Sequence, residues 1–242
     1  MKQKIINFLE EYKEDTNCKG VVLGISGGKD STVVAMLSTL VWGYDNVFGV
    51  IMPNGIQKDI DDSIEVCKTL DIPYTIINIE DSYNAILNQI HGVDITDKAK
   101  TNISPRLRMT TLYAIAQSLG YRVIGTGNAS ERYIGWFTKY GDGGCDLNPI
   151  AHLTCTEVVE LGRQLCKEFN LPESLIVKTP ADGLTGKSDE DNFGFTYEEL
   201  DNYIRKTDFK LSVEKYAKIE NMHTISEHKL RMPYTLLDKT IS

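Results

Sequence analysis

The run Gly24-Ile25-Ser26-Gly27-Gly28-Lys29-Asp30-Ser31 joins a short apolar segment, residues 21–25, to a helix-length apolar segment, residues 31–42. A strand that ends in glycines and turns at once into a helix leaves free backbone N–H groups at the positive end of the helix dipole. Glycine lets the chain turn tightly and approach an anion closely. Ser26 and Ser31 add hydroxyl donors. This strand–loop–helix unit is a building block of parallel sheets, in which ligands bind at the carboxyl ends of the strands where the strand order reverses.

The rest of the chain keeps the same rhythm. Ile5, Ile6, Phe8, Leu9 and Tyr12 recur at helical spacing within residues 3–14, and residues 59–70 and 104–119 also read as helices. Residues 47–52, 74–79 and 121–126 read as strands, the last closed by Gly125 and Gly127. A loop-rich stretch, 129–149, leads to a helix over 156–169 and then to a polar, glycine-containing stretch, 180–194. Short helices are expected at 196–204, 213–221 and 226–231, and no period of 20 to 50 residues repeats. The fold class predicted is α/β, a doubly wound, mostly parallel sheet with helices on both faces. It forms a single domain over 1–242 with a short helical C-terminal segment from about 196 to 242.

Charge and cysteine usage exclude several classes. The net charge of −8 would repel a phosphate backbone, so nucleic acid is not an expected partner, although a small phosphorylated ligand can still be held locally. The five cysteines include no CxxC pair, which suggests neither a disulfide framework nor a zinc site and fits reduced thiols in the cytoplasm. The N-terminal MKQKIINFLEEYKED becomes charged before any signal-length apolar run, and no stretch of about 18 apolar residues occurs. No membrane association is expected.

Several residues have two readings. Lys29 is followed by Asp30, which excludes a Walker A loop. An acid inside a phosphate loop repels its ligand unless a cation lies between, so Asp30 reads as a Mg²⁺ ligand, or else Asp30 and Ser31 cap the helix. Glu131 opens a helical stretch after a strand, where it would complement a helix N-terminus. Lys139 and Asp146 are ligand contacts or solvated charges of a glycine-rich loop. His91 and His152 lack partners at ligand spacing. Gly24-Ile25-Ser26-Gly27-Gly28 spells a nucleophile elbow by letters but has no identifiable His and Asp partners.

The segment from Ser26 to Ser31 matches the SGGxDS loop of the N-type ATP pyrophosphatases. Within that superfamily, Gly125-Thr126-Gly127-Asn128-Ala129-Ser130-Glu131 and the run GWFTKYGDGGCDLNP over 135–149 resemble the ammonia-dependent NAD synthetases. Asn102, residues 106–109, Ser188-Asp189-Glu190 and Glu227-His228-Lys229 extend the resemblance over most of the chain. It implies an adenine nucleotide alpha hydrolase-like fold and a ligase that converts deamido-NAD, ATP and ammonia to NAD, AMP and pyrophosphate through an acyl adenylate.

The same resemblance implies ATP binding by Gly24, Ile25, Ser26, Gly27, Gly28, Lys29, Asp30 and Ser31, with Met52 near adenine and Thr126 near the nucleotide. Asp30 and Glu131 would hold Mg²⁺, and Arg106, Lys139, Asp146, His228 and Lys229 would face deamido-NAD. Ser26, Asp30 and Lys139 would be catalytic. A homodimer is implied, and a chain of 242 residues leaves no room for a glutaminase, so free ammonia or a separate partner would supply nitrogen.

Two departures stand out. Cys155 replaces a common Lys, and Ala181 replaces a usual Thr or Ser; Lys178 or Lys187 could supply the missing cation. The rival readings are another ATP pyrophosphatase ligase and a non-catalytic adenine nucleotide-binding module.

Overall fold

The computed structural model describes residues 1–57, 60–178, 188–207 and 210–236. The chain opens with helix α1 (Lys2–Asp15), strand β1 (Val21–Gly24), α2 (Lys29–Trp42), β2 (Val47–Ile51), α3 (Ile60–Thr69) and β3 (Tyr74–Ile76). Next come α4 (Glu80–Gln89), α5 (Asp97–Thr101), α6 (Ile103–Leu119), β4 (Arg122–Val123), α7 (Ala129–Ile134) and α8 (Cys155–Phe169). The last helices are α9 (Ser174–Val177), α10 (Asp189–Phe193), α11 (Tyr197–Arg205) and α12 (Val213–Ser226), followed by a 3-10 turn, Glu227–Lys229.

The strands form one parallel sheet in the order β3-β2-β1-β4, with Val21 opposite Val47, Val22 opposite Val123 and Val50 opposite Thr75. The chain builds outward from β1 to β3 and then returns to the other side of β1, so the reversal lies between β1 and β4. Successive side chains point to opposite faces of a strand. Val21 and Leu23 of β1 join Ile51 and the helices α1, α2 and α8 in the larger core, whereas Val22 and Val50 pack with Val123 and Ala116 on the opposite face. Both faces are thus covered, as the apolar runs of the sequence require.

The expected strands at 74–79 and 121–126 are shorter than their sequences suggested. Ile77 still donates to the Ile51 carbonyl and Ile124 to that of Val22, but beyond them the chain turns out of the ladder, and Gly125 donates to Leu147 instead. A single parallel bridge, Ile124 to Leu147, continues the sheet past β4. Helices α4 and α5 have largely exposed surfaces and so no apolar stripe that marks them in the sequence, and α10 begins at a capping box between Ser188 and Asp191 inside the polar stretch 180–194.

A third cluster packs beside the sheet, where Ile134, Phe193, Phe195, Tyr197, Leu200 and Ile219 bring α7, α10, α11 and α12 together. Among the described residues no helix is long and apolar enough to cross a membrane.

Candidate active site

The glycine loop is held by its own serines. Ser26 and Ser31 hydroxyls lie 3.0 Å apart, Ser31 Oγ donates to the Gly28 carbonyl at 3.1 Å, and Gly28 N–H donates to Ser26 Oγ at 3.3 Å. Gly27 adopts φ +74°, and a Cβ there would come within 3.0 Å of Asp62 Cβ, so both conformation and space require glycine. The loop opens on a cleft of about 270 Å³ at the strand reversal, lined by Ser26, Gly28, Asp30 and Ser31 from the β1 side and by Thr126, Gly127 and Glu131 from the β4 side.

Asp30 and Glu131, separated by a hundred residues of chain, meet across this cleft through Asn128. Asn128 Nδ2 donates to Asp30 Oδ1 at 3.0 Å, and its Oδ1 accepts the Glu131 N–H at 3.0 Å in the capping box that starts α7. Burial and the neighbouring Asp30 carboxylate push the Glu131 carboxyl up to about 8. Two hard oxygen donors crowded in this way suit a divalent cation, which would relieve their repulsion.

Lys29 is held by the carboxylate next to it in the chain. Its side chain is buried, donates to Asp30 Oδ2 at 2.8 Å and lies 5.6 Å from the centroid of the Tyr197 ring. Burial alone would lower its pKa, but Asp30 beside it outweighs that cost and holds the ammonium protonated. Cys155 is buried nearby, and burial pushes its thiol up to about 12, so it brings no charge to the site. Lys178 is paired with Asp62 at 2.9 Å, while Ala181 and Lys187 lie outside the described residues.

Three further residues line the cleft without having been assigned a role from sequence: Trp136, Asp142 and Asp189. Asp142 accepts from the Thr138 N–H at 2.9 Å, and Asp189 accepts from the Tyr197 hydroxyl at 3.0 Å. Their signal lay in the motifs already quoted, since both stand inside segments that carried the family resemblance. Met52 is buried behind the loop, where its Cε would lie 3.6 Å from a Cβ built on Gly24, so it reaches the base of the cleft wall rather than its lining.

A second cavity of about 260 Å³ lies on the other side of the glycine-rich loop and includes Arg132, Phe137, Asp146, Asn148 and Lys229. Asp142 faces the first cavity and its neighbour Gly143 the second, so one loop divides them. The Asp146 carboxylate is tied to the chain, accepting from the Val123 N–H at 2.8 Å and the Tyr113 hydroxyl at 3.1 Å. Lys229 donates to the carbonyls of Gly135 and Phe137 at 2.7 and 2.8 Å, and Lys139 donates to His228 at 2.5 Å, which fastens the C-terminal turn onto the loop. Arg106 reaches the same loop through the Lys139 carbonyl at 3.4 Å. Arg106, Lys139, Asp146, His228 and Lys229 therefore gather around this loop, although only Asp146 and Lys229 line the second cavity.

The profile of the NAD synthase family matches residues 1–233. The NH(3)-dependent NAD(+) synthetase of Carboxydothermus hydrogenoformans is 39% identical over 236 residues, covering 96% of this chain and 94% of that protein. Among solved structures, NMN synthetase from Francisella tularensis superposes with a TM-score of 0.88 at 35% identity, covering 97% of this chain and 96% of that one. NH3-dependent NAD synthetase from Campylobacter jejuni superposes with a TM-score of 0.77 at 30% identity, covering 97% of each chain. With the glycine loop, the carboxylate pair at the strand reversal and a match along nearly its whole length, the chain belongs to the NAD synthase family, ligases that complete NAD with ammonia as the nitrogen source.

Proposed function

We propose that ATP occupies the cleft between β1 and β4 and that the nicotinate end of deamido-NAD reaches it from the second cavity. The observation that carries this reading is the meeting of Asp30 and Glu131 beside the serine-held loop, within one cleft at the strand reversal. A carboxylate is a poor electrophile, and attack of its oxygen on the α-phosphorus converts it to an acyl adenylate with loss of pyrophosphate. Ammonia then adds at the acyl carbon, AMP leaves, and a proton is given up to solvent or a cleft carboxylate.

In this reading Ser26, Gly28 and Ser31 hold the pyrophosphate through hydroxyl and N–H donors, which strengthen as charge builds on the leaving group. Gly24, Ile25, Gly27, Lys29 and Met52 shape the loop and its support, and Thr126 faces the nucleotide. Mg²⁺ held by Asp30 and Glu131 would supply neutralisation of phosphate charge. Lys139, Arg106 and His228 position the acceptor from the loop side, with Lys229 and Asp146 in the cavity wall. Asp142 and Asp189 add negative potential that favours entry of ammonium.

The exposed apolar side chains of α4, with the half-buried Leu112 and Ile115 of α6, support a homodimer through that face. All five cysteines are unpaired, which suits a reducing cytoplasm.

One assay tests the activity: ATP, Mg²⁺, ammonium and deamido-NAD, with NAD, AMP and pyrophosphate counted. Equal yields of the three are expected. ATP cleaved to AMP only with another acceptor would discard the substrate, and saturable ATP binding without turnover would favour a binding module. A second reading has its own support, since the fold superposes more closely on the NMN synthetase than on the NAD synthetase described above. Under it, nicotinate mononucleotide replaces deamido-NAD, and the same assay run with both acceptors compares their kcat/KM.

A further inference from the structure

The Asn128 side chain is fully buried and spends both ends of its amide on the two carboxylate residues of the cleft. Its oxygen accepts the Glu131 N–H at 3.0 Å, its nitrogen donates to Asp30 Oδ1 at 3.0 Å, and its own N–H donates to Glu131 Oε2 at 3.3 Å. The amide cannot be flipped, because that would set its oxygen against the Asp30 carboxylate and its NH₂ against the Glu131 N–H. The other Asp30 oxygen is fixed by Lys29 at 2.8 Å.

A buried amide of this kind does more than cap α7. Serine, threonine or aspartate would cap equally well by accepting the same N–H. Aspartate has no proton to donate, and a serine or threonine hydroxyl stands one bond closer to the backbone than the Asn128 Nδ2 that reaches Asp30 at 3.0 Å, so the choice of asparagine is explained by Asp30 on α2. We infer that Asn128 is a positioning residue that holds Asp30 and Glu131 at the separation and orientation their shared cation requires. This rests on the reading of those two carboxylates as the Mg²⁺ pair. Each carboxylate oxygen has two acceptor directions, so Asp30 can keep both existing bonds and still present a lone pair to the cleft.

The deciding variant is Asn128→Ser, whose hydroxyl can keep the helix cap but is one bond too short to take the place of Nδ2 on Asp30. Asn128→Asp also keeps the cap but places a like charge beside both carboxylates. Asp30→Asn serves as the reference for loss of the metal ligand itself. The probe is Mn²⁺ with α,β-methylene-ATP, whose bridge resists cleavage, and the readouts are Mn²⁺ affinity by electron paramagnetic resonance and thermal midpoint.

The expected result is a roughly tenfold weaker Mn²⁺ affinity for Asn128→Ser, a larger loss for Asn128→Asp, and a thermal midpoint for the serine variant close to that of the parent. In turnover, Asn128→Ser should need more Mg²⁺ while its KM for the acceptor at saturating Mg²⁺ stays unchanged. Parental Mn²⁺ affinity in Asn128→Ser, with Asp30→Asn impaired, would overturn the role of Asn128. Parental affinity in Asp30→Asn as well would instead remove the carboxylate pair as the metal site, and the inference with it.

Discussion

At the scale of single residues, the cleft concentrates negative charge that the ligand-free chain must tolerate. Glu131 shows the cost most clearly, because burial and Asp30 together push its carboxyl up to about 8, whereas an unfolded glutamate titrates near about 4.3. The folded chain therefore binds that proton more tightly than the unfolded one. The stabilisation is complete below the unfolded value and is lost as pH rises from there through about 8. Glu131→Gln should flatten this decline in the ligand-free protein and raise its thermal midpoint at pH 8 by about 2–4 °C, the shift expected for about 1 kcal/mol in a chain of this size. Thermal scans across pH check it, and parallel curves for parent and variant would refute it. Asp30→Asn is expected to lower turnover at least 100-fold, a loss typical of removing a catalytic charge, while the far-ultraviolet dichroism stays parental. The loop residues were readable from sequence because glycine and serine at that spacing have few other uses. The orientation of Lys29 was not, since its neighbour Asp30 and the Tyr197 ring reach it only through the fold.

At the scale of elements, the site depends on how α7, α8, α11 and α12 are joined. Asp201 of α11 is buried and accepts from the Ser130 hydroxyl and from the Thr156 N–H at 2.7 Å, so one carboxylate caps α8 and steadies the start of α7. Arg205 at the end of α11 grips Glu157 with a 2.9 Å bond from Nε and a second from its terminal nitrogen. Burial would raise the Glu157 carboxyl, but Arg205 and the Thr154 N–H outweigh that and hold it below its ordinary range. A carboxylate so depressed contributes stability above the unfolded value near about 4.3, and loses it as pH falls through the lower folded value. Because both side chains are partly exposed, Arg205→Met should cost only about 0.5–1 kcal/mol at pH 7. The difference should fade at about pH 3, measured as urea midpoints at both pH values. Gly135 makes a harder joint. It caps α7 at φ +68°, and a Cβ there would fall 2.0 Å from Ser226 Cβ on α12, so Gly135→Ala should cost at least about 3 kcal/mol and loosen the C-terminal turn from the loop. A thermal midpoint within about 2 °C of the parent would contradict this.

At the scale of the whole molecule, the alternation of apolar runs was enough to read a parallel sheet, and the reversal between β1 and β4 falls where the two motifs lie. The segment between β3 and α6 was opaque for a physical reason. Among the described residues α4 has none buried, so no stripe of core positions marks it, and its Ile86 and the Ile90 that follows its last residue remain exposed. The helix beside it, α6, buries only Ser104 and Ala116 along its length, although it carries Leu107, Leu112, Tyr113 and Ile115. By contrast most of α2, on the opposite face of the same sheet, is buried. This imbalance is what a second copy packed over α4 and α6 would remove, and Arg106 and Arg108 of α6 tie that face to the site through the carbonyls of Lys139 and Met52. A 27.2 kDa chain in such a dimer should sediment at twice its mass. Ile86→Asp would bury a charge at the interface, and the expected outcome is a monomer whose turnover falls more than its thermal midpoint. Sedimentation velocity combined with the ligase assay decides it. If the variant stays at the parental mass, or the parent itself sediments as a monomer with full turnover, this face is not where the copies meet.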